Sequence, residues 1–296
     1  MYPLEYIQPV FRPPSEARSL ILQVTNGCSW NKCTFCTMYT DPQKRFQPKS
    51  IDVIRQELQT IANAGYPVQK VFLADGDAMT LSMRRLSDIL TAIREFFPNI
   101  VRVSSYCLPR NLKNKSVQEL ATLKTLGLSM LYVGCETGDT ELLAMVEKGE
   151  TYETSLDALI KAKQAGIQTS VMILNGLGGP EMSQQHALAS AKLMNAAQPS
   201  FLSTLVVEFP QGSSRFEKNF NGRWRKLKKM ELFAEMEMLL DTLELEETIF
   251  RSDHASNYLV LKGTLGRDKD NMLQIVRSAI HQPGLIPLRE EWQRGL

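Results

Sequence analysis

From about residue 19 onward, short apolar runs alternate with longer stretches of helical period, and this alternation leaves few architectures open. A helix between two such runs must bury its apolar face against the strand it has just left, which makes each strand-helix-strand segment a parallel crossover. The predicted strands are Leu20 to Val24, Lys70 to Ala74, Arg102 to Tyr106, Met130 to Val133, Gln168 to Leu174 and Phe201 to Val207. Between them the period predicts helices over Ser50 to Ala64, Arg84 to Phe97, Ser116 to Leu126, Tyr152 to Ala165 and Ser183 to Ala197. Glycine directly after Ala64, Leu126 and Ala165 supports this phasing, because a helix commonly ends on a left-handed residue. After the sixth strand, a helix is expected over Lys226 to Leu240, a seventh strand over Thr248 to Arg251 and a last helix over Asn271 to His281. The fold class is therefore α/β with a parallel sheet. In such sheets the sites gather at the carboxyl ends of the strands.

With 296 residues, 43% hydrophobic and 22% charged, the chain can bury a full core. Lysine and arginine total 34 against 32 acidic residues, and a formal net charge of +2 indicates no nucleic-acid partner. The opening MYPLEYIQPVFRPP has no basic segment followed by an apolar run, and no stretch has the length of a membrane span. A soluble, cytoplasmic protein is expected. Three of the five cysteines fall within nine residues and two stand alone, which suits a metal in a reducing compartment better than a disulfide scaffold.

Those three thiols follow the first strand as Gly27-Cys28-Ser29-Trp30-Asn31-Lys32-Cys33-Thr34-Phe35-Cys36, with the spacing C-x4-C-x2-C. Thiolates suit zinc or an iron-sulfur cluster. Structural zinc takes four ligands, and the next candidates, Cys107, Cys135, His186, His254 and His281, are all remote in sequence. A [4Fe-4S] cluster on three thiolates leaves one iron open to another ligand. A zinc-binding α/β protein and a cluster protein both remain open on the thiols alone.

The other unusual segments also follow strands. They are Ala74-Asp75-Gly76-Asp77-Ala78, Ser104-Ser105-Tyr106-Cys107-Leu108-Pro109-Arg110, Gly134-Cys135-Glu136-Thr137-Gly138, Ile173-Leu174-Asn175-Gly176-Leu177-Gly178-Gly179-Pro180-Glu181 and Glu208-Phe209-Pro210-Gln211-Gly212. The glycines at 176, 178 and 179 match neither phosphate-binding pattern, G-x-G-x-x-G or G-x-x-x-x-G-K-[ST]. Taken in order from residue 20 to 212, the set resembles the radical S-adenosylmethionine (radical SAM) superfamily. The Gly-x-Glu-Thr-Gly element is similar to that of the branch containing anaerobic coproporphyrinogen oxidases and methylthiotransferases. The first cysteine interval is one residue longer than the family's usual C-x3-C-x2-C.

The resemblance implies a parallel, partial TIM-type (β/α)6 barrel over residues 19–215. It also implies an N-terminal extension over 1–18 and a C-terminal strand and helix extension over 216–296 that closes the barrel and serves the substrate side. Cys28, Cys33 and Cys36 would hold a [4Fe-4S] cluster that reductively cleaves S-adenosylmethionine, and the resulting 5′-deoxyadenosyl radical would take hydrogen from a substrate. Phe35 would pack on the adenine, although a ring there also covers a cluster from water. Asp75, Gly76 and Asp77 stand where the family offers backbone carbonyls to the cofactor's amino group. Tyr106 replaces an acidic residue of the family pattern, and Ser104, on the same strand face, could supply a hydroxyl to the ribose. Glu136 is carried over as cofactor-binding, Leu174 as the apolar adenine contact and Val207 as the start of a segment facing the adenine edge. A non-catalytic descendant that keeps the cluster as a sensor or binding module is a third reading.

The substrate, a small molecule or peptide, is not written in the chain. Candidates for its contacts are Tyr106, Arg110, and His254 and Asn257 within the polar segment Arg251 to Tyr258, whose other reading is a capping loop. A flavodoxin or ferredoxin would supply electrons, and the run Arg223 to Lys229 could dock it, although such runs are usually solvated faces around a structural tryptophan. His186 is expected on a helix surface and His281 at a helix end. Cys135 reads as a small buried hydrophobe, and Cys107 as a structural buried thiol whose other reading is a radical quencher or further metal contact.

Overall fold

The computed structural model describes residues 2–282 and 284–295. The chain forms two compact units, the first built from 1–31, 36–133 and 160–169, the second from 32–35, 134–159 and 170–296.

In the first unit, strands β1 (Leu20–Gln23), β2 (Lys70–Ala74), β3 (Arg102–Cys107) and β4 (Leu128–Glu136) run parallel in the order β1-β2-β3-β4, and the last three residues of β4 belong to the second unit. Helices α1 (Ile51–Asn63), α2 (Met83–Phe96) and α3 (Val117–Thr125) supply the crossovers. Ser50, Ser82 and Ser116 cap their N-termini by accepting the backbone N–H of Val53, Arg85 and Glu119. Gly65 and Gly127, at φ of +70° and +116°, follow α1 and α3 and take the left-handed turn that a side chain would oppose. Strand alternation sorts the core. Ile21, Phe72 and Ala74 share one face with Tyr106, Tyr132, Tyr6 and Val10, while Leu20, Leu22, Val71 and Leu73 fall on the other. In α1 the buried positions are Ile54, Leu58 and Ile61, an apolar stripe of helical period. Leu58→Ala is expected to cost about 2–5 kcal/mol, because its site is fully buried and collapses only in part; a melting temperature equal to the parent's would contradict that packing.

The segment before β1 is fastened rather than loose. Tyr6 donates its hydroxyl to the Ile21 carbonyl at 2.8 Å. Glu16 is fully buried, accepting from Arg102 at 2.6 Å and from the Tyr132 hydroxyl at 2.5 Å.

In the second unit, β5 (Gln168–Asn175, its first two residues in the first unit), β6 (Phe201–Val206) and β7 (Ile249–Ser252) are ordered β5-β6-β7 and parallel, and β8 (Leu261–Thr264) adds antiparallel to β7. Its helices are α4 (Thr140–Met145), α5 (Tyr152–Gln164, the last five residues in the first unit), α6 (Gly179–Ala197), α7 (Ser214–Glu217), α8 (Lys229–Thr242) and α9 (Lys269–His281).

The α/β class with a mostly parallel sheet is as the periodicity requires. The differences are local. Helix α6 begins four residues before Ser183, because Pro180 in its first turn has no N–H to lose and carries a helical φ already. Strand β4 is longer than Met130 to Val133 at both ends, running from Leu128 to Glu136. Helix α4 and strand β8 were not predicted, being too short to display a period of their own.

Candidate functional site

In the first unit the cysteine loop leaves β1 and runs against the turn that follows β2. A Cβ added to Gly76 would lie 2.8 Å from the Cβ of Cys28, so only glycine lets these two segments meet. Asp77, fully buried, accepts the backbone N–H of Ser29 at 2.9 Å, the Ser29 hydroxyl, and the Asn111 amide at 3.4 Å. Burial pushes its carboxyl above the usual range, and the Ser29 hydrogen bonds pull it back. Asp75 accepts from Lys44, from Gln23 at 3.2 Å and from the Gly27 N–H at 3.2 Å. Lys44 and Asp75 form an ion pair with no exposed side-chain surface, and Lys44 also donates to the Ile7 carbonyl at 2.9 Å.

The longer first cysteine interval is held residue by residue. Ser29 sits on Asp77, and Trp30 lies under the Arg110 guanidinium, 3.6 Å from the ring centroid. Asn31 takes a left-handed φ of 42°, which asparagine tolerates, and donates to the Tyr39 carbonyl at 2.8 Å. On β3, Ser104 is fully buried with its hydroxyl donating to the Val71 carbonyl at 3.4 Å. Tyr106 is half-buried edge-on to Phe72, with centroids 5.0 Å apart. Cys107 is buried, its thiol donating to the Leu108 carbonyl.

In the second unit the fold brings Phe35, Leu174 and Val207 into one apolar cluster, with Leu177, Phe216 and Trp224 among its members. Phe35 and Leu174 stay half-exposed. Glu136 ends β4 at φ 65°, a conformation that costs a non-glycine residue about 1 kcal/mol or more. Its carboxylate folds back over Gly134, where a Cβ would stand 2.3 Å from Oε1, and it accepts from Lys148 Nζ at 2.7 Å. Burial opposes the charge on Lys148, but the Glu136 carboxylate outweighs it and raises the ammonium above its ordinary value. Lys148 also stands 5.7 Å from the Phe35 ring centroid. Burial pushes the Cys135 thiol up to about 12, as suits an inert core residue.

His186 is not on a helix surface, as the sequence led us to expect; it is 1% exposed. Its Nδ1 stands 2.8 Å from the Thr137 hydroxyl, and burial lowers its pKa against the pull of Glu235. The same helix meets the loop after β4 nearby, where Ser190 accepts the Gly138 N–H at 3.0 Å. The segment 253–258 is largely occupied with itself and the tail. His254 Nδ1 accepts the Ser256 N–H at 3.1 Å, Asn257 donates to the Thr204 carbonyl at 2.9 Å, and Arg289 donates to the carbonyls of His254, Asn257 and Asp253. His281 closes α9.

None of the five cysteines is in a disulfide; Cys28 and Cys36 belong to the first unit and Cys33 to the second. Among the described residues, no three His, Cys, Asp or Glu side chains converge as ligands of a single ion. The thiols of a cluster bind separate irons and need not converge on one point. Sequence reasoning missed Lys44, Lys148 and Glu235. Only the last had a signal, a glutamate among the buried positions Leu232, Phe233, Met236 and Leu239 of α8.

The family description "Radical SAM superfamily" matches residues 22–194. An uncharacterized methyltransferase of Pyrococcus horikoshii is 26% identical over 172 residues, 58% of this chain and 36% of the relative. The heme chaperone HemW of Bacillus subtilis is 24% identical, covering 59% and 48%. A putative methylthiotransferase of Methanocaldococcus jannaschii is 21% identical, covering 71% and 49%. The chain thus spans about a third to a half of the length of these relatives. Among solved structures, coproporphyrinogen III oxidase of Escherichia coli, a radical SAM enzyme, superposes with a TM-score of 0.53 at 18% identity, covering 68% of this chain and 46% of that one. Methylornithine synthase gives 0.52 at 17%, covering 77% and 63%. These likenesses show a shared fold.

Proposed function

The chain belongs to the radical SAM superfamily, and from that premise we propose that it cleaves S-adenosylmethionine reductively at a [4Fe-4S] cluster held by Cys28, Cys33 and Cys36. Cluster and cofactor together would supply a 5′-deoxyadenosyl radical that takes hydrogen from a substrate, and the protein's own share is binding, orientation and exclusion of water. The observation that carries this reading is the clamp on the cysteine loop, with Cys28 against Gly76 and Ser29 on Asp77, in a chain matched by the family over residues 22–194. The donor set fits: three reduced thiols on one loop, two of them half-exposed. In the first unit, the Tyr39 hydroxyl and Asp75 Oδ1 are buried without a hydrogen-bond partner among the described residues. Such atoms cost about 1–3 kcal/mol each unless a bound group satisfies them.

In this proposal the backbone of Asp75, Gly76 and Asp77 receives the cofactor's amino group, while the two carboxylates fix the loop. Phe35, Leu174 and Val207 form the apolar wall for the adenine, and Glu136 binds the cofactor with Lys148 holding it in place. Tyr106 and Arg110 remain substrate candidates. The hydrogen bonding of 253–258 favours a capping loop over a direct role for His254 and Asn257. We keep 19–215 as the catalytic core and 216–296 as the extension. Electrons would come from a flavodoxin or ferredoxin. The run Arg223 to Lys229 pairs largely with its own surface, Arg225 with Glu231 at 2.6 Å, Lys226 with Glu208 at 2.5 Å and Arg223 with Glu181 at 3.3 Å, which favours a solvated face. Among the described residues, no helix is long and apolar enough to cross a membrane.

The test is anaerobic reconstitution with iron and sulfide, followed by reduction in the presence of S-adenosylmethionine. A visible cluster spectrum and formation of 5′-deoxyadenosine are expected. A tightly held zinc ion with a blank visible spectrum would end the cluster assignment, and a cluster without 5′-deoxyadenosine would favour a sensor or binding module. Within this reading, Glu136→Ala should weaken cofactor binding about tenfold or more with iron content unchanged. Equilibrium binding under anaerobic conditions checks it, and an unaltered affinity would remove Glu136 from the site.

A further inference from the structure

Helix α8 lies beyond the residues that the family matches, yet it places a carboxylate beneath two of the motif loops. Glu235 is 2% exposed. Its Oε1 accepts the Gly176 N–H at 2.6 Å and its Oε2 accepts the Ser183 hydroxyl at 2.6 Å. His186, one helical turn from Ser183, has Nε2 3.8 Å from Glu235 Oε1 and Nδ1 2.8 Å from the Thr137 hydroxyl. The imidazole also bonds to the backbone of Leu174. Thr137 follows Glu136, and Leu174 and Gly176 belong to the glycine-rich turn, so one buried pair holds both loops.

We infer that Glu235, acting with His186, is a positioning residue that sets the Glu136–Gly138 and Leu174–Gly179 loops in the relative geometry needed to bind S-adenosylmethionine. The inference rests on the cofactor reading above and deepens it. Gly176 turns at φ +80°, so no regular strand or helix partner takes its N–H, and without the carboxylate that donor is buried and unpaired. A carboxylate with two short donors makes charge-assisted bonds of fixed direction, which serve to hold a turn rigidly. The helix adds steric limits from the same side: a Cβ on Gly176 would stand 3.2 Å from Leu232 Cδ2.

Glutamine at 235 can still accept from Gly176 while its amide donates to Ser183, whereas alanine loses both bonds. The reconstituted holoenzyme should therefore show a loss of S-adenosylmethionine affinity of about tenfold in Glu235→Ala and recovery to within about threefold in Glu235→Gln, with iron content unchanged in both. Hydrogen exchange across 174–183 should quicken in the alanine variant alone. Leu240→Ala, in the same helix and fully buried, controls for lost stability and should keep its affinity. Equal affinity in Glu235→Ala and the parent, or equal loss in the alanine and glutamine variants, overturns the inference. If Glu235→Ala does not fold, Ser183→Ala removes its bond to Glu235, and Thr137→Val removes the bond to His186 together with the one accepted from the Asp139 N–H; parental affinity in both overturns the inference equally. A parent that binds no S-adenosylmethionine sinks the cofactor reading and this inference together, while a parent that binds and an alanine variant that binds as well sink the inference alone.

Discussion

Alanine in place of Cys28, Cys33 or Cys36 is expected to leave a folded protein that assembles no [4Fe-4S] cluster and forms no 5′-deoxyadenosine above background. Each thiolate would bind a separate iron, so the loss of one opens a second vertex to water and to cluster breakdown. No other thiol can substitute easily. Cys107 and Cys135 are buried, and the Cys135 proton is held by burial, so it offers no thiolate at neutral pH. Cys135→Ala should accordingly keep both iron and activity. Iron analysis and the visible spectrum after anaerobic reconstitution decide it: four irons retained in any of the three loop variants would contradict the ligand assignment.

Lys44→Met is expected to destabilise the protein by about 3–5 kcal/mol, because it strands the Asp75 carboxylate in a site with no exposed surface. Taking two charges out of water costs several kcal/mol per ion, and their mutual attraction offsets this only while both are present. Gln23 and the Gly27 N–H would remain as donors to Asp75, each at 3.2 Å, which moderates the loss without removing it. The double variant Lys44→Met with Asp75→Leu should regain most of the stability, since an apolar pair of similar size carries no desolvation cost. Thermal unfolding of the apoprotein measures this independently of any cofactor. A single variant within about 0.5 kcal/mol of the parent would show that the pair is not sequestered as described.

The strands and crossover helices of this chain were legible because their signals are local. Lys70 to Ala74 is a strand with the limits its apolar run suggests, and Ser50 and Ala64 flank α1 as its caps. A helix cap or an apolar period involves residues within a few positions of one another, so the sequence displays it directly. Short elements such as α4 and β8 were not legible, because six residues and four residues are too few to show a period.

The motif segments were legible for a different reason, since each follows a strand and carries residue types with little use in a core. The partners of those segments were not. Lys44 reaches Asp75 across 31 positions, Lys148 reaches Glu136 across 12, and Glu235 reaches Gly176 across 59. Nothing near Lys44 in Pro42-Gln43-Lys44-Arg45 distinguishes a buried lysine from an exposed one. The stripe Ser183, His186 and Ser190 has the pattern of a solvated helix face, and only the packing of a loop against it makes it interior.

The order of elements, the thiol loop and the membership of a family that cleaves its cofactor at a cluster were determined by the sequence alone, because covalent spacing and periodicity survive in an unfolded chain. Which carboxylates are neutralised, which histidine is dry and which helix steadies the glycine turn were decided only by tertiary structure. Desolvation and hydrogen-bond geometry depend on what surrounds a group in space, and those surroundings come from distant parts of the chain.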